Sequence, residues 1–181
     1  MRPSPGTMEG EVLARELASL HAASWGWALA CCGRDASAAA DALQQAYSKV
    51  LEGKARFGGQ AALKTWFFSV IRLTAMEQRR AIVRWLRRAP DREQQADDAP
   101  ASSSGKPDRG LERAEAAARL SRALARLAPR QREVLHLVFY EELSIADAAT
   151  IMGVSIGSAR QHYDRGKKNL KDLLGDDLRT S

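Results

Sequence analysis

The sequence predicts an all-α fold of two small helical domains joined by a flexible linker. Aliphatic and alanine-rich runs at helical spacing fill both flanks of the chain, and no alternating run of Val, Ile and Thr has the length of a strand. Between the flanks, residues 89–110 contain three prolines and three consecutive serines. Such a segment buries too little apolar surface to offset its ordering entropy. We therefore predict domains over residues 9–88 and 111–178, with a disordered linker at 89–110.

Three helices are predicted in the N-terminal flank, over residues 9–30, 36–52 and 61–88. Gly33 and the pair Gly58-Gly59 separate them, because glycine stops helices and forms loops. The C-terminal flank predicts four more helices, over residues 111–127, 129–140, 145–152 and 156–174. Pro129 suits the first turn of the second of these, since the first helical turn needs no N–H from it.

The last two predicted helices form a helix-turn-helix. Ser144 is a suitable N-cap, Gly153 can adopt the positive φ of a tight turn, and Val154 can fill the space between the helices. The second helix carries a stripe of residues at steps of 4, 3, 4 and 3, which marks its buried side: Ala159, Tyr163, Gly166, Leu170 and Leu173. From residue 156 to residue 171 it has five basic residues and one acidic residue, which favours contact with DNA. A solvated basic face at the end of a bundle is the alternative.

Composition narrows the class of function. The 181 residues carry a formal net charge of +6, which favours a polyanionic partner such as nucleic acid or an anionic membrane surface. No apolar run is long enough to span a membrane, so we expect a soluble cytoplasmic protein without a membrane partner. Cys31 and Cys32 are adjacent, and the three histidines have no ligand spacing, so the sequence predicts no metal, no cofactor and no enzyme.

Residues 127–135 (LAPRQREVL), 143–149 (LSIADAA) and 153–160 (GVSIGSAR) together resemble region four of extracytoplasmic-function (ECF) sigma factors. Upstream, residues 41–50 (DALQQAYSKV), 57–59 (FGG) and 63–72 (LKTWFFSVIR) resemble region two of the same family. The resemblance implies an initiation factor that binds bacterial core RNA polymerase at the clamp helices of the beta-prime subunit. It also implies that the N-terminal domain opens the minus-ten promoter element and the C-terminal domain binds the minus-thirty-five element.

The resemblance and the residue types together give candidate sites. For the minus-thirty-five element, arginine can fork to guanine, glutamine can pair with adenine, and lysine suits phosphates. The candidates there are Ser158, Arg160, Gln161, Arg165, Lys167 and Lys168. The candidates for the minus-ten element are a glycine loop that could receive a flipped base and arginines that suit strand phosphates: Phe57, Gly58, Gly59, Gln60, Arg72, Arg79 and Arg80. Solvated charged faces and an ordinary loop are the alternatives.

The predicted polymerase-binding helix bears Asp41, Gln44 and Tyr47 as its candidate contacts. Family members usually have several acidic residues near the start of this helix, whereas this chain has alanine or glutamine there and keeps only Asp41. We therefore predict that phosphorylation by a Ser/Thr kinase, at Ser48 or Thr65, restores negative charge. Two other functions stay open: a sigma-like decoy that binds an anti-sigma factor, and an autonomous helix-turn-helix regulator.

Overall fold

The computed structural model describes residues 5–88 and 109–179, and these form eight helices without a strand. The N-terminal half consists of α1 (Pro5–Ser19), α2 (His21–Cys31), α3 (Ala36–Leu51) and α4 (Leu63–Arg88). The C-terminal half consists of α5 (Arg109–Arg126), α6 (Pro129–Phe139), α7 (Ile145–Met152) and α8 (Ile156–Arg179). The prediction of an all-α fold is confirmed.

One helix prediction and one bound of the linker need correction. The single helix predicted over residues 9–30 is two helices, because the chain tightens at Leu20, whose φ and ψ are −87° and 0°. The Ser19 hydroxyl there donates a hydrogen bond to the carbonyl of Glu16. The predicted linker lies outside the described residues except at its end, where Arg109 and Gly110 already belong to α5.

The two halves pack against each other around one hydrophobic core. Trp27 and Phe68 from the N-terminal half are fully buried in the same cluster as Val134, Leu137 and Met152 from the C-terminal half. The Trp27 indole donates a hydrogen bond of 2.9 Å to the carbonyl of Phe68, and its ring lies 5.7 Å from that of His136. Helix α2 packs on α6, and α4 packs on α7. We call this arrangement the closed form.

Ion pairs and hydrogen bonds cross the same interface. Arg72 Nε lies 2.9 Å from Glu133 Oε2, and both side chains are buried. Lys64 Nζ lies 2.7 Å from Glu141 Oε2. Arg132 donates a hydrogen bond of 2.8 Å to the carbonyl of Ala30 near the end of α2. The two parts are thus held by charge as well as by apolar contact, and the division into two domains stays a prediction.

Candidate nucleic-acid and polymerase interfaces

The turn between α7 and α8 is built from local hydrogen bonds. Ser144 Oγ accepts from the N–H of Asp147 at 3.1 Å and so caps α7. Gly153 ends α7 with φ of +61°, and the N–H of Val154 then donates to the carbonyl of Ala149 at 3.0 Å. Ser155 Oγ accepts from the N–H of Ser158 at 3.1 Å at the start of α8. These contacts set the angle between the two helices.

One side of α8 packs and the other is free. Ala159 and Gly166 are buried, and the gap between α6 and α8 at Gly166 is narrow: a Cβ there would lie 3.2 Å from Leu135 Cδ1. The opposite side exposes Arg160, Gln161, Arg165, Lys167, Lys168 and Lys171. Because residues at i, i+4 and i+8 share a helix face, Arg160, Asp164 and Lys168 lie in one row on it. The helix therefore presents a basic face that is available to a groove.

Two of the predicted minus-thirty-five residues have local partners. The hydroxyl of Ser158 accepts a hydrogen bond of 2.9 Å from Ser155, so this half-buried residue is part of the helix cap. Lys167 Nζ lies 3.3 Å from Asp164 Oδ1 and 4.2 Å from the centre of the Tyr163 ring. Sequence reasoning missed this use of Lys167, although the i, i+3 and i, i+4 spacings could have signalled it.

The predicted minus-ten residues fall into three places. Phe57 to Gln60 form an exposed loop before α4, where Gly59 has φ of +70° and the Phe57 ring lies 5.3 Å from that of Trp66. Arg79 and Arg80 are exposed on α4, about 24 Å along the helix axis from Leu63. The loop and these two arginines are therefore exposed at two separate places along the N-terminal half.

Arg72 departs from the prediction. It is 5% exposed, and its guanidinium is paired with Glu133 of the other half, so in the closed form it cannot reach a phosphate. Leu73, its neighbour, is exposed instead.

Helix α3 presents the predicted polymerase-binding face. Its buried residues, among them Ala42, Leu43 and Ala46, lie on one side. Asp41 and Gln44 are exposed on the other side. Tyr47 is half-buried beside them, since its ring lies 5.0 Å from that of Phe67. Burial raises the pKa of Tyr47.

A groove of about 500 Å³ opens beside this face, between α1 and α3. Leu17, Tyr47 and the exposed Leu51 line it. His21 Nδ1 lies 3.2 Å from the Tyr47 hydroxyl, so α2 positions this tyrosine. This contact was not predictable from the sequence, because the two residues are 26 positions apart and belong to different helices.

The two phosphorylation candidates differ in access. Ser48 is half-buried on the α3 side that also bears Gln44 and Leu51, by the i, i+4 and i, i+3 spacings. Thr65 is 4% exposed inside the core, so a kinase cannot reach it in the closed form. Thr65 is therefore withdrawn as a candidate.

The cysteines lie at the end of α2, where the two halves meet. Burial raises the pKa of Cys31 well above its ordinary value, and the nearby charge of Glu133 adds to the effect. Burial likewise raises the pKa of Cys32 to about 11. Both thiols are therefore poor nucleophiles in the closed form.

Comparisons with known proteins agree with this geometry. Residues 117–170 match the model of sigma-70 region 4. The RNA polymerase sigma-H factor of Pseudomonas aeruginosa is 29% identical over 147 residues, which cover 77% of this chain and 75% of that protein.

Two solved structures share the fold. The sigma factor RpoE of Bartonella quintana, solved in complex with the anti-sigma factor NepR, superposes with a TM-score of 0.71 at 23% identity, over 90% of this chain and 96% of that one. CnrH, solved in complex with the cytosolic domain of CnrY, gives a TM-score of 0.60 at 20% identity, over 95% of this chain and 92% of that one.

A helix-turn-helix with a basic exposed face on an all-α body defines a DNA-binding transcription protein. The region 4 match identifies residues 117–170 as similar to sigma-70 region 4, and with the sigma-H similarity it supports the reading of the chain as an ECF-type sigma factor. No helix among the described residues has the length and apolarity to cross a membrane.

Proposed function

We propose that the chain binds bacterial core RNA polymerase and directs it to promoters through two DNA surfaces, acting in the cytoplasm by binding and not by catalysis. The observation that carries the proposal is the exposed basic face of α8, positioned by a well-capped turn. Arg160, Gln161 and Arg165 read bases of the minus-thirty-five element, and Lys168 holds a phosphate.

On the other half, the loop of Phe57 to Gln60 and the arginines of α4 engage the minus-ten element. A long exposed surface suits a strand that runs along the helix, since phosphates repeat along the strand and each arginine can meet one. The face of α3 that bears Asp41, Gln44 and Tyr47 contacts the polymerase clamp.

The test is transcription of genomic DNA by core polymerase with and without the purified chain, followed by sequencing of transcript starts. Discrete starts that share two upstream elements support the proposal. A variant with Arg160, Arg165 and Lys168 changed to alanine keeps polymerase binding and loses starts that depend on the upstream element. Polymerase binding without any new start contradicts the proposal.

Regulation of the polymerase-binding face is a second part of the proposal. Asp41 is the single acidic residue of α3, and Ser48 lies seven positions further along the same side of the helix. A phosphate at Ser48 adds about two negative charges there. We expect Ser48→Asp to bind core polymerase more tightly than Ser48→Asn, its matched uncharged control. Equal affinity of the two variants contradicts control by phosphorylation at this residue.

Control by an anti-sigma factor is the other candidate, because the Bartonella quintana neighbour was solved with such a partner. In that case, a partner purified with the chain blocks transcription and the Ser48 variants behave alike.

A further inference from the structure

We propose that Glu133 competes with nucleic acid for Arg72. In the closed form the Glu133 carboxylate pairs with the Arg72 guanidinium, and the guanidinium becomes available to a phosphate only when the two halves separate. The inference rests on the proposed function, in which Arg72 meets the minus-ten strand.

The geometry of the pair supports competition. Arg72 Nε lies 2.9 Å from Glu133 Oε2, and the two side chains are 6% and 7% exposed. A carboxylate and a phosphate offer the same kind of ligand to a guanidinium, namely anionic oxygens that accept its N–H groups. Since the interface encloses Arg72 on the side of Glu133, a strand phosphate cannot approach while the carboxylate is in place.

In the closed form Arg72 is buried, whereas the other candidate DNA-binding arginines are exposed. Arg79 and Arg80 of α4 are exposed, as is the basic face of α8. Among the described residues, no ion pair involves Arg79, Arg80, Arg160 or Arg165. Arg72 is thus the buried exception in a set of otherwise accessible DNA candidates, and Glu133 is the residue that makes it so.

The dimensions of a promoter require the pair to break. Elements centred near positions −10 and −35 lie about 85 Å apart on duplex DNA, at about 3.4 Å per base pair. A compact chain of the size described here has a radius of gyration of about 15 Å. One closed molecule therefore cannot contact both elements. The 20 residues from 89 to 108 span at most about 70 Å, so covalent geometry permits a wide separation of the halves.

Binding of a single-stranded probe tests the competition. The probe is a fluorescein-labelled 30-nucleotide DNA of mixed sequence, titrated with the full chain at several salt concentrations and followed by anisotropy. The test variant is Glu133→Gln, and its matched control is Glu142→Gln, which makes the same charge change at an exposed residue. We expect Glu133→Gln to bind about three- to tenfold more tightly than the control.

The salt dependence identifies the cause. One additional phosphate contact steepens the slope of log K against log salt by about 0.7 for a single strand. We expect this steepening in Glu133→Gln and its loss in the double variant Arg72→Gln/Glu133→Gln. Equal affinity and slope in Glu133→Gln and Glu142→Gln overturn the proposal. So does a gain in affinity that persists in the double variant, because Arg72 is then not the group released.

Alkylation of Cys31 gives a second measurement that does not use DNA affinity. Cys31 lies at the interface and feels the charges of Glu133, Arg72 and Arg132. We expect N-ethylmaleimide to modify Cys31 faster in the unaltered chain when the probe is added. Because the charge of Glu133 itself raises the pKa of Cys31, the variants are compared by the ratio of the rates with and without probe. We expect this ratio to be smaller in Glu133→Gln than in Glu142→Gln, since its halves separate without the probe. Glu133→Asp keeps the charge and shortens the side chain, so it falls between the two in both assays. An unchanged rate in every case overturns the proposal.

The two proposals fail separately. If the chain starts no transcription with core polymerase while Glu133→Gln still shows the steeper slope, the proposed function is wrong and the competition stands.

Discussion

Replacement of Arg132 by alanine is the most informative test of how the closed form is held. The guanidinium is 6% exposed and donates to four backbone carbonyls. One is Ala30 O of α2 at 2.8 Å, and three lie at the end of α5: Leu124 O at 3.5 Å, Ala125 O at 3.2 Å and Leu127 O at 3.2 Å. Burial lowers the pKa of Arg132, yet a guanidinium stays protonated in proteins.

The magnitude follows from those contacts. A hydrogen bond from a charged donor contributes about 1.5–3 kcal/mol, and unpaired carbonyls add a desolvation penalty. Part of this is recovered because water reaches the emptied site, so we expect a loss of about 3–5 kcal/mol in the free energy of unfolding. With a slope of about 2 kcal/mol per molar urea, the midpoint falls by about 2 M.

Urea unfolding followed by far-UV circular dichroism measures this shift. The control is Arg122→Ala, at an exposed position of α5, which we expect to change stability by less than about 0.5 kcal/mol. A midpoint for Arg132→Ala within 0.5 M of the control, as an estimate of the smallest resolvable shift, refutes the view that this side chain ties the ends of α2 and α5 to α6.

Three further predictions test the fold and the site. Burial raises the pKa of Glu141, but the hydrogen bond from His136 and the bond and charge of Lys64 outweigh it, so the pKa is lowered overall. Ionised Glu141 therefore stabilises the folded state above the ordinary carboxyl range, and this stabilisation is lost as the pH falls through the lowered pKa. We expect the urea midpoint to fall less between pH 7 and pH 3 in Glu141→Gln than in the unaltered chain. At the turn, Gly153→Ala puts a side chain on a residue in the left-handed region and should lower the free energy of unfolding by about 1–2 kcal/mol. On α8, an added Cβ at Gly157 meets only ordinary contact, so Gly157→Ala should raise the free energy of unfolding by about 0.5–1 kcal/mol. Thermal unfolding distinguishes the two variants, and equal shifts in Tm contradict the assigned turn. On a promoter found by transcript sequencing, Arg160→Ala and Arg165→Ala should each lose about 1–3 kcal/mol of DNA-binding free energy on the matched sequence and less on a scrambled one. Lys168→Ala should weaken binding to both sequences alike. Equal losses on the two sequences for the arginine variants argue against base reading.

Local signals made the helix-turn-helix predictable. Ser144 caps α7 and Gly153 adopts positive φ because each depends on neighbours within a few residues. The buried stripe of α8 followed from periodicity, and Ala159 and Gly166 lie on its packed side. Helix ends agreed to within a few residues, apart from the interruption at Leu20.

The contact between the halves was not predictable from the sequence. Arg72 resembled the other arginines of α4, and nothing local pairs it with Glu133, which lies 61 positions away. Thr65 was a phosphorylation candidate because of its hydroxyl, yet the packing of α4 places it in the core. Both residues lie at helical spacing with Phe68 and Ala75 on the buried side of α4, so periodicity carried a signal that their polar side chains obscured.

The two ends of helix α4 differ in burial. All of its buried side chains lie between Thr65 and Ala75, and from Arg79 to Arg88 every residue is exposed. The outer turns extend rigidly from an anchored base, so their direction is fixed without contacts of their own. Substitutions among them are therefore nearly neutral for folding. The charge of this exposed surface can therefore be altered one residue at a time, with the core left as it was.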